Sequence, residues 1–167
     1  EFTDATDLVQ VPAGEYRIRI TPAGSMDVVF DSGTVALADG ADLLVAATNN
    51  TGSGDSPVTL LVADGESAVK LWDANTTADI RVVHGISDAP AVDVIANNEL
   101  VLVDALAFPM ATDYLSVMPA DYLIDVVADA DNSIVAIDDA AVTLETGMSY
   151  TAIANNELAA PELDLLM

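Results

Sequence analysis

At 167 residues, the chain is long enough for one or two small domains with apolar cores. Its 28 acidic and 4 basic residues give a formal net charge of −24, which excludes nucleic acid and anionic membranes as partners because both require a positive surface. Cysteine is absent, so the sequence encodes no disulfide, no thiolate nucleophile and no cysteine metal site. It also lacks a run of 18 apolar residues, and we expect no membrane insertion.

Short apolar segments alternate with turn residues along the first part of the chain, which is typical of β-strands. Residues 8–11 predict a short strand, and Pro12-Ala13-Gly14 predicts a turn. Residues 16–20 alternate strictly, so Tyr16 should point inward and be buried, while Arg17 points outward. Further strands are predicted at residues 28–30, 34–37, 43–48, 58–63 and 67–72.

A long internal repeat sets the domain organisation. Residues 5–50 and 111–156 share an Ala-Thr-Asp start, a Pro-Ala turn, a Tyr-led strand, a glycine after a Val-x-Leu strand and a closing Asn-Asn. A period of this length suits a whole β-domain better than a solenoid coil. We therefore predict a partial module over residues 1–72 that lacks its N-terminal strands, a linker at 73–77 and a nearly complete module over 78–167. The sequence then begins in the middle of a module.

The second copy of the Tyr-led strand repeats the inward pattern of the first. Tyr122, Ile124 and Val126 hold the inward places, whereas Leu123 and Asp125 take the places of the outward arginines. The apolar face is the same in both copies and the other face differs, as expected of a strand with one buried side. This pattern predicts a buried Tyr122 and an exposed Asp125.

Residues 78–95, ADIRVVHGISDAPAVDVI, followed by Pro-Ala-Asp-Tyr at 119–122, resemble the bacterial secreted family called domain of unknown function 4397. That family has the pattern R-V-x-H-x-S-x-D-A-P-x-V-D-V and a later P-A-G-x-Y turn, in which Asp121 here replaces the glycine. The resemblance covers residues 78–167 as nearly a full module and 1–65 as its back half. It implies an all-β fold of tandem immunoglobulin-like or transthyretin-like β-sandwich modules on secreted or surface-anchored proteins, and it implies no activity.

Five residues of this signature are candidate site residues, and a structural role is expected for each of them: Arg81, His84, Asp88, Pro90 and Asp93. His84 is the single histidine, and a lone histidine in an alternating strand is more often a hydrogen-bonded structural residue than a catalyst. Arg81 is expected to pair with Asp88 or Asp93 and so hold the loop. A G-x-S-x-G nucleophile elbow and zinc ligands are both missing, so we predict that the protein is not an enzyme.

Calcium is the one metal that the sequence leaves open. Asp129, Asp131 and Asp138 are the candidate calcium ligands, because alternating carboxylates resemble the start of a calcium loop. The glycine and terminal glutamate of a helix-loop-helix calcium site are missing, and the first copy has a plain turn at residues 22–25. The alternative explanation of the acidity is a solvated surface adapted to a salty environment, where counter-ions screen the charge.

Two functions follow from these features. The first is a structural repeat module of a bacterial surface protein, adhesin stalk or filament, located outside the cell or on its surface. Its partners would be neighbouring copies or adjoining repeats, because a partial module exposes strand edges that invite complementation between chains. The alternative is a carbohydrate- or ligand-binding module that uses residues 49–57 or the region around Trp72, although few aromatic residues are available for sugar stacking.

Overall fold

A computed structural model describes residues 4–167, and all regular elements in this range are β-strands. The all-β prediction is therefore confirmed, and the sheets form a sandwich-like arrangement. No helix among the described residues is long and apolar enough to cross a membrane. The strands are β1 Gly14–Ile20, β2 Phe30–Leu37, β3 Leu44–Asn49, β4 Val58–Ala63, β5 Ala68–Leu71, β6 Ala78–His84, β7 Val92–Ala96, β8 Leu100–Leu106, β9 Leu115–Val117, β10 Ala120–Ala128, β11 Asp131–Leu144, β12 Ser149–Asn155 and β13 Glu162–Leu166.

The chain forms two compact units. The first contains the residues up to 50 together with 56–74, and the second contains residues 51–55 together with 75–167. The loop at 51–55 thus belongs to the second unit although it lies between two strands of the first. Within the second unit, Ser53 Oγ donates to the carbonyl of Thr77 at 2.7 Å.

The second unit has two four-stranded sheets, in the orders β11-β10-β7-β8 and β13-β12-β6-β9. All pairs are antiparallel except β6 and β12, which run parallel. Alternate residues of the central strands β6, β7, β10 and β12 form one apolar core, as period-two burial requires. Each fully buried valine or isoleucine side chain contributes about 1.5–3 kcal/mol, so this core carries much of the unit's stability. Its members on β6 are Ala78, Ile80 and Val82.

The first unit has a two-stranded sheet, β1-β2, and a three-stranded sheet, β3-β4-β5. Its fully buried apolar side chains among the described residues are Phe30 and Leu60. Ser32 and Thr59 are also buried, and each uses its hydroxyl on backbone groups. The apolar core of this unit is therefore much smaller than that of the second unit.

Local backbone features recur between the two units. Tyr16 Oη donates to the carbonyl of Pro12, and Tyr122 Oη donates to the carbonyl of Met118, both at 2.6 Å. A bulge shifts the register between β1 and β2, and another shifts it at the equivalent place between β10 and β11. In each case the Tyr-led strand has the same turn before it and the same irregularity along it.

The turn after the Val-x-Leu strand also recurs. The amide of Ala41 donates to the carbonyl of Ala38 at 3.3 Å, and the amide of Met148 donates to that of Glu145 at 3.3 Å. The glycines in these turns, Gly40 and Gly147, have φ of 71° and 73°. Glycine is needed there because other side chains rarely adopt positive φ.

Several sequence expectations are wrong in detail. Residues 28–30 and 34–37 were expected as two strands, but Phe30–Leu37 is one strand, because Asp31-Ser32-Gly33 forms a bulge within β2 and not a turn. Tyr16 and Tyr122 are half-buried, since their hydroxyls reach exposed carbonyls. Residues 8–11 do not form a strand.

Asp125 was expected to be exposed and is buried. Both faces of β10 are covered from Ile124 to Ala128, so alternation does not separate an inner from an outer side there. The Asp125 carboxylate tolerates burial because it accepts the backbone N–H of Asp139 at 2.7 Å.

Candidate functional site

The signature segment runs through β6, a loop at residues 85–91 and β7, and His84 holds the loop. Its side chain is 1% exposed, and its Nε2 lies 2.9 Å from the carbonyl oxygen of Pro90. A carbonyl can only accept, so Nε2 carries the proton and Nδ1 accepts the N–H of Ile86 at 3.3 Å. Both ring nitrogens are therefore engaged by the backbone on either side of the loop.

The start of the loop lies close to β12. The N–H of Gly85 donates to the carbonyl of Ala154 at 2.7 Å, and a Cβ at position 85 would come within 2.8 Å of that oxygen. A larger residue would have to displace the backbone of β12. Asp88 closes the other side of the loop by accepting the N–H of Leu158 at 3.0 Å.

Arg81 does not form the ion pair expected with Asp88 or Asp93. Its Nε donates to Thr151 Oγ1 at 2.9 Å, and its guanidinium lies 5.2 Å from the centre of the Tyr114 ring. One oxygen of each aspartate accepts a backbone amide instead, Ala105 for Asp93 and Leu158 for Asp88. The loop is held by hydrogen bonds to the backbone and not by an ion pair.

Two buried aspartates of the second unit have the same environment. Asp93 accepts the N–H of Ala105 at 2.9 Å, just as Asp125 accepts that of Asp139. Ala105 and Asp139 have positive φ values, 53° and 50°. Each buried carboxylate therefore secures an irregular residue of a neighbouring strand, in β8 for Asp93 and in β11 for Asp125.

Each of these aspartates belongs to a cluster of three carboxylates, one buried and two exposed. The clusters are Asp93, Asp104 and Asp129, and Asp125, Asp138 and Asp139. Within each cluster the oxygens lie within 4.8 Å of one another. Carboxylate oxygens are the ligands that Ca²⁺ takes, but it takes roughly six to eight of them, so water would have to complete the shell of an ion held here.

The three calcium ligands predicted from the sequence are not brought together. Asp129 lies in the first cluster and Asp138 in the second, whereas Asp131 accepts from Ser133 Oγ at 2.7 Å and from its N–H at 3.0 Å. The hydrogen bond from the Ser133 hydroxyl, followed by that from its amide, lowers the pKa of Asp131. Asp131 thus stabilises a hairpin turn.

Sequence reasoning missed Asp93, Asp104 and Asp125 as members of the clusters, because these residues come from three different strands. One signal was available for the second cluster. Asp125 occupies the place of Arg19 in the repeat, so the second copy has an acidic residue where the first has a cation.

The first unit shows what the cation does at this place. Asp31 follows Phe30 in β2 as Asp138 follows Ile137 in β11. The Asp31 carboxylate accepts hydrogen bonds from Arg17 Nε at 2.6 Å and from Arg19 Nε at 2.8 Å. The hydrogen bond from Arg17, with those from Gly33 and Arg19, holds the pKa of Asp31 well below its usual range. The two units thus share a bulge and differ in its electrostatics.

The most distinctive feature of the first unit is its unpaired strand edges. In the second unit β10 lies between β11 and β7, and β12 lies between β13 and β6. The corresponding strands of the first unit have one neighbour each among the described strands: β1 pairs with β2, and β3 pairs with β4. The described part of the first unit contains no counterpart of β6 or β7.

Burial differs accordingly between the two units. Ile124 and Val126 are 3% and 1% exposed, whereas their counterparts Ile18 and Ile20 are only half-buried. Alternate residues of β12 are buried, but no residue of β3 is, and Leu44 is 68% exposed. Side chains that would face a sandwich core therefore remain accessible along β1 and β3.

The same absence explains why residues 8–11 do not form a strand. Their counterpart in the second unit includes β9, which pairs with β6 through Leu115 to Ile80 and Val117 to Ala78. Val9 and Val11 occupy the places of Leu115 and Val117 and are 70% and 52% exposed. An extended segment forms a strand only where a neighbour offers backbone hydrogen bonds. We call β1, β3 and residues 9–11 together the acceptor face.

Comparison with known proteins supports the assignment of the second unit. A family model described as Domain of unknown function (DUF4397) matches residues 78–167, which is more than half of the chain. No curated protein and no solved structure matches the chain significantly. The matched range begins at the first residue of β6 and ends beyond β13, so it contains the signature loop and both four-stranded sheets. The chain belongs to the DUF4397 family, as the signature in residues 78–95 predicts.

Proposed function

We propose that the protein is a non-enzymatic structural repeat module of a bacterial surface protein, adhesin stalk or filament, in which the first unit pairs its open strands with a neighbouring repeat or chain. The observation that carries this proposal is the acceptor face. Among the described strands, β1 and β3 each have a free edge, and apolar side chains beside those edges are accessible to a partner. Free edges of this kind pair readily with another strand.

The signature residues support a mechanical role. His84 is buried and has both ring nitrogens bonded to the backbone of the loop, so neither nitrogen is open to a substrate. Asp88 and Asp93 likewise use an oxygen each to hold backbone amides. The signature residues therefore fix the loop between β6 and β7, which belong to different sheets.

The charge supports an extracellular location in a salty environment. A net charge of −24 repels a second copy at low ionic strength, and salt shortens the range of that repulsion to about 8 Å at 0.15 M and about 3 Å at 1 M. Association through the acceptor face should therefore require salt. Calcium held by the acidic clusters of the second unit would reduce the same repulsion.

The alternative function, a carbohydrate- or ligand-binding module, receives less support from the aromatic side chains. Tyr16 and Tyr122 donate their hydroxyls to the backbone, and Lys70 lies 4.9 Å from the centre of the Trp72 ring. The Arg81 guanidinium lies over the Tyr114 ring in the same way. Binding on a glycan array by the purified chain would favour this alternative over the structural one.

The proposed function is tested by measuring the mass of the purified chain by light scattering as protein concentration and NaCl are raised, with electron microscopy of the largest species. We expect oligomers or filaments that grow with both variables. Hydrogen exchange should show slower exchange in β1 and β3 on assembly. A chain that stays monomeric at high concentration and high salt, with β1 and β3 already protected, would refute the proposal.

A further inference from the structure

The second unit shows which strand belongs on the acceptor face. β6 lies between β12 and β9, pairing parallel with β12 and antiparallel with β9. Its first residues are also held by the turn that precedes β12. The amide of Gly147 donates to the carbonyl of Thr77 at 3.0 Å, and the amide of Asp79 donates to the carbonyl of Met148 at 2.9 Å. β6 is therefore held by β12, by β9 and by the turn that precedes β12.

The first unit has a cleft at the equivalent place. A cavity of about 420 Å³ is lined by residues 8–13 on one side and 37–43 on the other. These segments correspond to β9 with its flanks and to the turn that holds the start of β6. Gly40 and Ala41 occupy the places of Gly147 and Met148, so the cleft has the same backbone donor and acceptor in the same turn. The space is where the first residues of a β6-type strand would lie.

We infer that the part of the acceptor face formed by β3 and residues 9–11 binds an extended segment with the β6 pattern, which enters through this cleft and runs parallel to β3. The inference rests on the proposed function and specifies its partner. The donor would pair antiparallel with residues 9–11 on its other edge, which would turn that segment into a strand. β6 of an identical copy is the less available donor, since it is already central in its own sheet.

The chemistry of the donor follows from the inward side of β6. Ala78, Ile80 and Val82 are at most 2% exposed, and Ala78 is the first residue of the strand. A donor therefore needs a small residue first and branched apolar residues at the next two alternate positions. Residues 77–84 also contain one aspartate and one arginine, so a strand of this type carries little net charge to be repelled by the acidic chain.

A peptide of residues 77–84 is the probe. Added to the full chain in high salt, it should bind saturably and slow hydrogen exchange in β3 and residues 9–11. A control peptide with Ile80→Asp and Val82→Asp has the same length and should not bind. In the full chain, Val11→Lys changes an exposed side chain that makes no strand pairing, and it should weaken peptide binding about tenfold or more by removing an apolar contact.

The direction of the bound peptide is tested by disulfide formation. No native thiol competes in this experiment, because the chain has no cysteine. In the second unit Ile153 pairs with Val83, and Ala47 occupies the place of Ile153. An Ala47→Cys chain should link to a Val83→Cys peptide at least about tenfold faster than to an Asp79→Cys peptide. A disulfide forms only where the two Cα atoms lie within about 7 Å of each other, and the parallel register brings only position 83 that close to position 47.

Equal rates, the reverse preference or no saturable peptide binding would overturn the donor assignment. If the full chain assembles in those cases, the proposed function stands and another strand is the donor. If the chain stays monomeric but takes up the peptide in the parallel register, the donor assignment is supported and assembly between identical chains is not.

Discussion

His84→Ala tests whether the signature histidine is a structural residue. The substitution empties a site that is 1% exposed and leaves the carbonyl of Pro90 and the N–H of Ile86 without their partner. It also removes the edge-on contact with Phe108, whose ring centre is 6.1 Å away. Truncating a large buried ring costs about 3–5 kcal/mol, and each buried polar group left unsatisfied costs about 1–3 kcal/mol.

We expect His84→Ala to lose about 4 kcal/mol or more of the free energy of unfolding, since some collapse and hydration of the loop will offset part of the sum. For a unit of this size that corresponds to a fall in Tm of about 15 °C or more. Urea denaturation followed by circular dichroism measures the loss, and hydrogen exchange of residues 85–91 shows whether the loop is released.

Arg81→Ala is the matched control, because Arg81 is exposed, lies in the same strand and makes one side-chain hydrogen bond and one ring contact. It should cost about 1 kcal/mol or less. If His84→Ala were no more destabilising than Arg81→Ala, the histidine would not hold the loop, and a role in binding or chemistry would have to be reconsidered.

Three further predictions concern the charged groups. Asp125→Ala should lose about 1–3 kcal/mol of the free energy of unfolding, because the N–H of Asp139 loses its acceptor. Asp125→Asn keeps an acceptor and relieves the repulsion between carboxylates, so its stability should match or exceed that of the wild type at low salt. Equal losses for the two variants in urea denaturation would contradict this. The lowered pKa of Asp31 means that its contribution is complete above the ordinary carboxyl pKa of about 4 and is lost as pH falls toward the lower folded value. Arg17→Gln should therefore shift the acid transition of the first unit, followed by Trp72 fluorescence, to higher pH, and an unchanged transition would show that Arg17 does not hold the carboxylate. Finally, NaCl should raise the Tm of the whole chain by screening its negative charge. A further rise with millimolar CaCl₂ would identify a bound ion at the second cluster if a chelator reverses it and Asp125→Asn abolishes it.

The sequence predicts much of the local structure. The strict alternation of residues 16–20 predicts β1, and residues 58–63 coincide with β4. These predictions succeed because alternation, turn residues and short hydrogen-bonding motifs depend on neighbours in sequence.

The acidic clusters could not be predicted in the same way. Asp93 and Asp104 come from adjacent strands, and Asp129 follows a third. Their proximity depends on the register and bulges of β7, β8 and β10, which no single segment encodes. The sequence motif around Asp129 and Asp131 instead forms a hairpin turn, in which the Asp131 carboxylate accepts from the hydroxyl and the amide of Ser133.

The sequence by itself determined an acidic all-β chain with a repeated Tyr-led strand, a family signature and no cysteine. Only the tertiary structure decided that residues 9–11 remain outside a sheet while their counterpart forms β9, and that β1 and β3 keep a free edge within residues 4–167. The physical reason is that apolar alternation makes a segment able to form a strand, but the strand forms only where another segment supplies the hydrogen bonds and the apolar cover.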